Sequence, residues 1–345
     1  LSYIIRLFFS IDFALIFTLS LIFWNIFVFV LYGIDKRLAI KNKHRIKEKI
    51  LIFCSLIFGG IGTFFATILF NHKKRKIIFK IIIPISVFLT LIPTIHIIHS
   101  YILDRIIVYR EKTFFDSQWS SELDGYRIAF MTDFHTISEE SMNNVVRELN
   151  NRNIDLLVLG GDFSLRDNHY RTILNIISNI ETTDGIFGVE GNHDNAERLF
   201  LVKSEYGIGI LDNSGLYIHP NFFLAGVHDL WNRNPNISVA TSNANNDSFI
   251  LLVSHNPDVS MIQDTSHLNL ILSGHIHGGQ ITFFGWPFYL FRGSITSFGT
   301  RFASRFSESY DGIPVYTSFG VGEYYSVPRV FARPEVVIFT MYNKN

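Results

Sequence analysis

The sequence has a single cysteine, Cys54, and it lies inside an apolar run. No intrachain disulfide is possible, and a metal site built on several thiolates is excluded. The thiol reads as a small buried apolar residue and says little about compartment. Acidic residues are scarce in the first 110 positions, which hold only Asp12, Asp35, Glu48 and Asp104 against fifteen Lys and Arg, about +11. The remainder, with twenty-six acids against fifteen bases, must be about −11, so a net charge of zero conceals a basic part and an acidic one. An acidic C-terminal part is a poor partner for a nucleic-acid backbone, and no nucleic acid is expected to bind. No protein partner can be inferred.

What is abundant is apolar. The chain of 345 residues is 48% hydrophobic, with 34 Phe, and the excess is concentrated near the start. Residues 13–32 are apolar apart from Thr18, Ser20 and Asn25, long enough for a membrane-spanning helix. The run is too long for a cleavable signal peptide and lacks a small-residue cleavage site. A second apolar run covers 50–70, and a third covers 77–103, where Pro84 and Pro93 are expected to bend it. Residues 1–110 therefore read as an all-α integral-membrane module in contact with membrane lipids, and the protein as a multi-pass membrane protein. The chain begins with Leu1 rather than Met, so its true start is expected to be missing or reassigned.

Basic residues suggest the topology. Seven lie between the first two runs and five more follow the second, from Lys73 to Lys80. The second run is centred on Gly59-Gly60-Ile61-Gly62, a natural place for a helical hairpin to turn. A hairpin there puts all twelve cations on the cytoplasmic side against four outside, whereas three full crossings give ten against six. The hairpin accounts better for the charge and makes the C-terminal part extracytoplasmic. Tyr32-Gly33-Ile34-Asp35-Lys36-Arg37-Leu38-Ala39, together with His72-Lys73-Lys74-Arg75-Lys76, resembles a small uncharacterised bacterial integral-membrane domain with a YxxDKxxA motif, over residues 20–92. The resemblance implies no chemistry. Asp35 either pairs with a neighbouring cation or ends the helix in solvent, the simpler account.

After a polar linker at 111–124 the pattern changes. Short apolar runs at 127–132, 154–159, 186–189, 249–253 and 269–272 alternate with helical segments at 139–150, 169–180, 195–204 and 257–264, the signature of α/β architecture with buried strands. Each apolar run ends in metal-competent residues: Asp133-Phe134-His135, Gly161-Asp162, Gly191-Asn192-His193-Asp194, His255-Asn256-Pro257, and Gly274-His275-Ile276-His277-Gly278-Gly279-Gln280. Sites in open α/β sheets form at the carboxyl ends of strands, so the five sets can converge on one crevice. Carboxylate, carboxamide and imidazole donors suit Mn, Fe or Zn. Seven ligands for two divalent ions require a shared one, and a carboxylate can bridge.

This order of motifs, DxH, GD, GNH, H and GHxH, resembles the calcineurin-like metallophosphoesterase superfamily over residues 125–342. The resemblance implies a β-sandwich flanked by helices, a four-layer αββα fold, in a domain covering 125–345. Carried across, the first metal would take Asp133, His135 and His277, and the second Asn192, His255 and His275, with Asp162 bridging. His193 would face the scissile phosphate without ligating, and Asp194 would orient its imidazole, the two together forming the catalytic pair. The implied reaction is attack by a metal-bridging hydroxide on a phosphomono- or diester. Ser164 and Leu165 depart from the usual continuation of the second motif, which puts the contacts around Asp162 in question.

Smaller matches narrow the branch. Ser254-His255-Asn256-Pro257-Asp258, Gly226-Val227-His228-Asp229-Leu230-Trp231 and the long His277-Gly278-Gly279-Gln280 form resemble bacterial membrane-associated phosphoesterases of the YkuE and YaeI type. That branch implies a lipid-linked phosphoester substrate and a place in lipid metabolism. A UDP-2,3-diacylglucosamine-type pyrophosphate hydrolase is the alternative, with a non-catalytic scaffold of the same fold less favoured because every ligand and His193 is present. His228 and Asp229 read equally as site-lining residues or as a structural turn, and Arg333 as structural. The aromatic run from Ile281 to Phe291 is expected either to rest on a bilayer beside the site or to cap the core.

Overall fold

Residues Phe13–Ile40 form one helix, α1, whose 28 residues rise about 42 Å at 1.5 Å per residue. The computed structural model describes residues 13–98, 106–164, 167–194, 196–280, 282–283, 286–287, 295–324 and 329–344. These fall into two units, Leu1–Tyr101 and Ile102–Asn345. In the first unit α1 is followed by α2 (Glu48–Leu56), α3 (Gly60–Leu69) and α4 (Ile77–Ile98). Two stretches, Thr18–Ile40 and Ile77–Ile95, are helical and long and apolar enough to cross a membrane. Pro84 and Pro93 both lie inside α4, and positions 99–103 of the third apolar run are outside the described residues.

The 50–70 run is interrupted where a turn is expected. Neither α2, with 9 residues, nor α3, with 10, has the ~20 residues of a spanning helix. Phe58 takes a left-handed φ of 54° at the break. Side chains of the long helices satisfy the backbone groups that the break releases. Asn25 donates from Nδ2 to the Phe58 carbonyl (2.8 Å) and accepts the Gly62 N–H at Oδ1 (2.9 Å), while Gly60 N–H donates to Thr90 Oγ1 (2.9 Å). An apolar cavity of about 640 Å³ lies against this junction, lined by residues that include Asn25, Phe29, Ile61 and Phe65.

Asp35 is not a solvated helix end. It is fully buried and paired, 2.7 Å from Arg45 Nη2 and 2.7 Å from His72 Nε2, and it accepts the Ile46 N–H at 3.1 Å. Lys73 stands 3.6 Å from the same carboxylate and 2.6 Å from Glu48, which also pairs with Lys76. This ion network ties the end of α1 to the starts of α2 and α4, and the cation cluster at 72–76 is part of it.

The second unit is a sandwich of two six-stranded sheets. One sheet has the order β1-β14-β2-β3-β4-β5, the other β12-β13-β9-β8-β7-β6. Among the described residues a separate hairpin, β10 (Thr282–Phe283) and β11 (Trp286–Pro287), belongs to neither sheet. In the first sheet, β1 (Val108–Asp116) pairs parallel with β14 (Glu335–Asn343), which runs antiparallel to β2 (Tyr126–Met131). The parallel strands β3 (Leu156–Leu159), β4 (Ile186–Gly188) and β5 (Gly209–Ile210) follow. In the second, β7 (Phe222–Gly226), β8 (Phe249–Val253), β9 (Leu270–Ser273) and β13 (Pro314–Thr317) are parallel, edged antiparallel by β6 (Ser214–His219) and β12 (Phe306–Glu308). Residues 111–116, expected to be linker, are therefore strand. Their exposure alternates along β1, as it does on an edge strand with one covered face.

Side-chain alternation divides the apolar residues among the layers. Ile128 and Phe130 of β2 point into the space between the sheets with Leu156, Val158, Phe249, Leu251, Val253 and Leu272. Ala129 and Met131 of the same strand point the other way, against Met142, Val145 and Leu149 of α5 (Glu139–Asn150) and Ile173 and Ile177 of α6 (Asp167–Ile177). On the far face of the second sheet, Phe223, Ala225, Leu252 and Ile271 pack with Ile237, Val259 and Phe302. The result is the four-layer αββα arrangement. The helix expected at 257–264 shrinks to one turn, Val259–Ile262.

Candidate metal centre

Three strands of one sheet and two of the other end at the same edge of the sandwich. Asp133 follows β2, Asp162 follows β3, Asn192 follows β4, His255 follows β8, and His275 and His277 follow β9. Asp133, His135, Asp162, His275 and His277 all take left-handed φ values, between 35° and 68°. Non-glycine residues pay about 1–3 kcal/mol each for such a backbone, so the surrounding fold must hold these turns against strain. Two glycines admit the carboxylates: a Cβ on Gly274 would collide with the Asp133 carboxylate, and one on Gly191 with that of Asp162.

The donor atoms form two sets that share one oxygen. Asp162 Oδ2 lies 3.3 Å from His135 Nε2 and 3.3 Å from His255 Nε2. Its other oxygen, Oδ1, accepts the His193 backbone N–H at 2.8 Å. On one side, His277 Nε2 is 3.2 Å from Asp133 Oδ1 and 3.0 Å from His135 Nε2. On the other, Asn192 Oδ1 is 2.8 Å from His275 Nδ1 and 3.1 Å from His255 Nε2. One donor atom each from Asp133, His135 and His277 lies within 4.8 Å of the others, and so does one each from Asp133, Asp162 and His255.

These residues fit a pair of divalent cations. The nitrogens facing away from the shared oxygen donate to backbone carbonyls, His255 Nδ1 to Gly160 (2.7 Å) and His275 Nε2 to Ile295 (3.1 Å), which leaves the inward nitrogens as ligand atoms. His135 and His277 bring two imidazole nitrogens to 3.0 Å beside the Asp133 and Asp162 carboxylates, a cluster of donor atoms that one cation can share. Burial pushes His135 and His275 down to about 3, the charge-free form a metal needs. Burial also opposes ionisation of Asp162, but the His255 and His135 imidazoles outweigh it and hold the carboxyl below its usual range.

The resemblance implies that Asp194 orients the His193 imidazole. Its carboxylate also holds the backbone: Oδ2 accepts the N–H groups of Asp162 and Gly191, both at 2.8 Å, and Oδ1 that of Phe163 at 3.2 Å. It clamps the second motif to the third, acting on the site through Asp162. Burial, then the Asp162 charge, push its carboxyl up to about 7. His193 lines the cavity, its ring centroid 5.4 Å from that of His135. Ser164, where the motif departs from the family pattern, is buried and donates to the His135 carbonyl at 3.4 Å. Leu165 lies outside the described residues.

Four residues that carry the site were not assigned from sequence. Arg329 is fully buried, donating to the carbonyls of Gly322 and Ala332 (3.0 Å each) and reaching His277 Nδ1 at 3.2 Å. Glu190, one position before Gly191, is buried and accepts the Asp229 N–H at 3.3 Å beside His228 Nδ1 at 3.2 Å. Trp231 and Tyr324 line a cavity of about 200 Å³ over the donor sets. The pairing of His228 and Asp229 with Glu190 and their own loop makes them a structural turn. Arg333 donates to the Ile106 carbonyl at 3.2 Å, next to the start of β1. No local pattern marks these residues, since each acts across the fold; only the Gly226–Trp231 motif carried a signal.

With the geometry described, comparison with known proteins gives the class. Residues 126–279 match the family described as Calcineurin-like phosphoesterase, and residues 25–79 a family of unknown function, DUF1294. Phosphodiesterase YaeI of Escherichia coli is 31% identical over 54% of this chain and 70% of its own length. The uncharacterized metallophosphoesterase YkuE of Bacillus subtilis is 25% identical over 71% of this chain and 89% of its own. An uncharacterized metallophosphoesterase of Helicobacter pylori is 25% identical over 62% of this chain, and the match spans 58% of that relative's length. The chain belongs to the calcineurin-like phosphoesterase family, whose members use divalent metals.

Proposed function

We propose that this protein is a membrane-anchored, binuclear metal-dependent phosphoesterase acting on a lipid-linked phosphodiester. The observation that carries the reading is the single Asp162 oxygen placed 3.3 Å from an imidazole nitrogen of each donor set. Asp133, His135 and His277 would hold one ion and Asn192, His255 and His275 the other. Such a pair, when bound, lowers the pKa of water and neutralises charge on the phosphoryl oxygens. Around it, His193 stands at the cavity to give a proton to the leaving oxygen, and Asp194 fixes the backbone that carries Asp162. Preference for a diester is supported by the relative Phosphodiesterase YaeI, 31% identical over 54% of this chain.

Two further observations support the lipid link. Two helices of the first unit are apolar and long enough to span a bilayer. Beside the metal motif, Thr282–Phe283 and Trp286–Pro287 form a short hairpin on which Trp286 is 69% exposed; indole rings favour the bilayer interface. The rest of the aromatic run, including Phe288, is outside the described residues. Metal-dependent hydrolysis of bis(p-nitrophenyl) phosphate, lost in Asp162→Asn with the loss of bound metal, tests the enzyme reading; no turnover with Mn, Fe or Zn sinks it. Trp286→Ser should slow turnover of vesicle substrate while sparing the soluble ester. Equal effects on both would end the lipid-surface reading. The extracytoplasmic placement is tested by a cysteine introduced in the second unit, which an impermeant reagent should label in intact cells.

A further inference from the structure

The cavity over the donor sets has two aromatic walls. Trp231 meets His275 edge-on, with ring centroids 4.5 Å apart at 87°. Tyr324 lies on the other side, its ring 5.4 Å from His135 and 5.3 Å from His193. Trp231 is 53% exposed and belongs to none of the three apolar clusters described for this unit. An indole left half in solvent contributes little to folding, since much of its apolar area is still wet.

Yet its loop is firmly held. Asp229, fully buried, accepts the backbone N–H groups of Trp231 (2.8 Å) and Asn232 (3.2 Å) through one oxygen. Glu190 accepts the Asp229 N–H in turn, and the Asn232 amide returns to the Asn192 carbonyl at 2.8 Å. The loop is thereby anchored at both ends to the strand end that supplies Asn192. Tyr324 is tied in the same manner. Gln280 donates from Nε2 to the Tyr324 carbonyl and accepts the Tyr324 N–H at Oε1, each at 3.3 Å. Two rings positioned by the metal-bearing turns themselves, with Trp231 half exposed and outside the three apolar clusters of the described residues, point to contact with a ligand.

We propose that Trp231 is a specificity-determining residue, selecting phosphodiesters whose ester group is flat or apolar and packs against the indole. Glu190 and Asp229 are positioning residues that act through it. The proposal rests on the phosphoesterase reading for its turnover arm and is independent of it for its binding arm. Aromatic stacking and apolar burial of one ring together are worth about tenfold in affinity.

The test uses full-length, Mn-loaded protein in detergent. Diphenylphosphinate and dimethylphosphinate are non-hydrolysable monoanions that mimic a diester, and their affinities are read by tryptophan fluorescence in Trp286→Phe and by calorimetry. The diphenyl compound should bind about tenfold tighter than the dimethyl one, and Trp231→Ala should abolish that difference while Trp231→Phe keeps most of it. In turnover, Trp231→Ala should lower kcat/KM for bis(p-nitrophenyl) phosphate about tenfold more than for methyl p-nitrophenyl phosphate, through KM. An unchanged phenyl-to-methyl ratio in Trp231→Ala overturns the proposal. If neither ester is hydrolysed but the phosphinate ratio depends on Trp231, the enzyme reading fails and the binding wall stands.

Discussion

Asp194 accepts the backbone N–H of Asp162 at 2.8 Å, so one buried aspartate holds the main chain of another whose side chain joins both donor sets. Asp194→Asn puts an N–H₂ against at least one of three backbone donors. An unsatisfied buried donor costs about 1–3 kcal/mol. The variant should melt several degrees lower and bind both metals more weakly, as measured by calorimetry and metal analysis. Unchanged melting would show that the clamp is not needed.

His255 should release a proton when metal binds. Burial disfavours charge on its ring, but Asp162, Asp133 and Asp229 outweigh that and hold its pKa well above the usual histidine range in the metal-free protein. Both ring nitrogens face acceptors, Gly160 O and the Asn192 and Asp162 oxygens. The metal-free site therefore keeps this proton to higher pH than an ordinary histidine, and the loaded site cannot keep it. Metal affinity should rise up to tenfold per pH unit until the metal-free value is passed. The dependence of calorimetric heat on buffer ionisation enthalpy measures the proton, and His255→Asn should remove it.

The metal-free protein should lose stability in acid. His135 and His275 stand at about 3 when folded against an ordinary 6.5. Below 6.5 the unfolded chain takes up protons that the folded chain refuses. Their contribution is complete above 6.5 and is lost as the pH falls through about 3. Thermal melts of His135→Gln should show a shallower decline over that window than the parent.

Arg329 touches His277 Nδ1 and carries three backbone carbonyls, those of Gly322, Ala332 and His277. Arg329→Met leaves those carbonyls without their donor. The turn that carries His277 loses its anchor, so metal affinity of the Asp133, His135 and His277 set should fall, with a lower Tm. Arg329→Lys should rescue little, because a single ammonium cannot span the fork of contacts.

Asp35→Ala removes the acid shared by Arg45, His72 and Lys73. Breaking a buried pair costs about 3–5 kcal/mol, and the 41% exposure of the Arg45 side chain places this one toward the lower end. The detergent-solubilised chain should melt earlier, while metal content of the second unit is unaffected. Loss of metal in this variant would overturn this expectation.

Much of the sandwich was legible because its cues are local. Strand β8 and helix α5 coincide with the apolar run at 249–253 and the amphipathic segment at 139–150. Periodicity of side chains along one element needs no knowledge of the rest of the chain. β1 was not legible: an edge strand with one exposed face carries Arg110, Glu111 and Lys112, and it straddles the expected end of the membrane module at 110 and the expected linker from 111. Its partner, β14, is more than 200 residues away in sequence.

The residue types at five strand ends, and their order, were set by the sequence alone. So were the split into a basic apolar part and an acidic one, and the glycine interruption at 59–62. Only the tertiary structure decided which Asp162 oxygen faces the imidazoles and which faces the backbone. It also decided that Asp194 clamps main chain, that Asp35 is buried among cations, and that Trp231 and Tyr324 close the cavity. The reason is physical: a donor's identity is a property of one residue, whereas its direction and partners depend on turns brought together from both sheets.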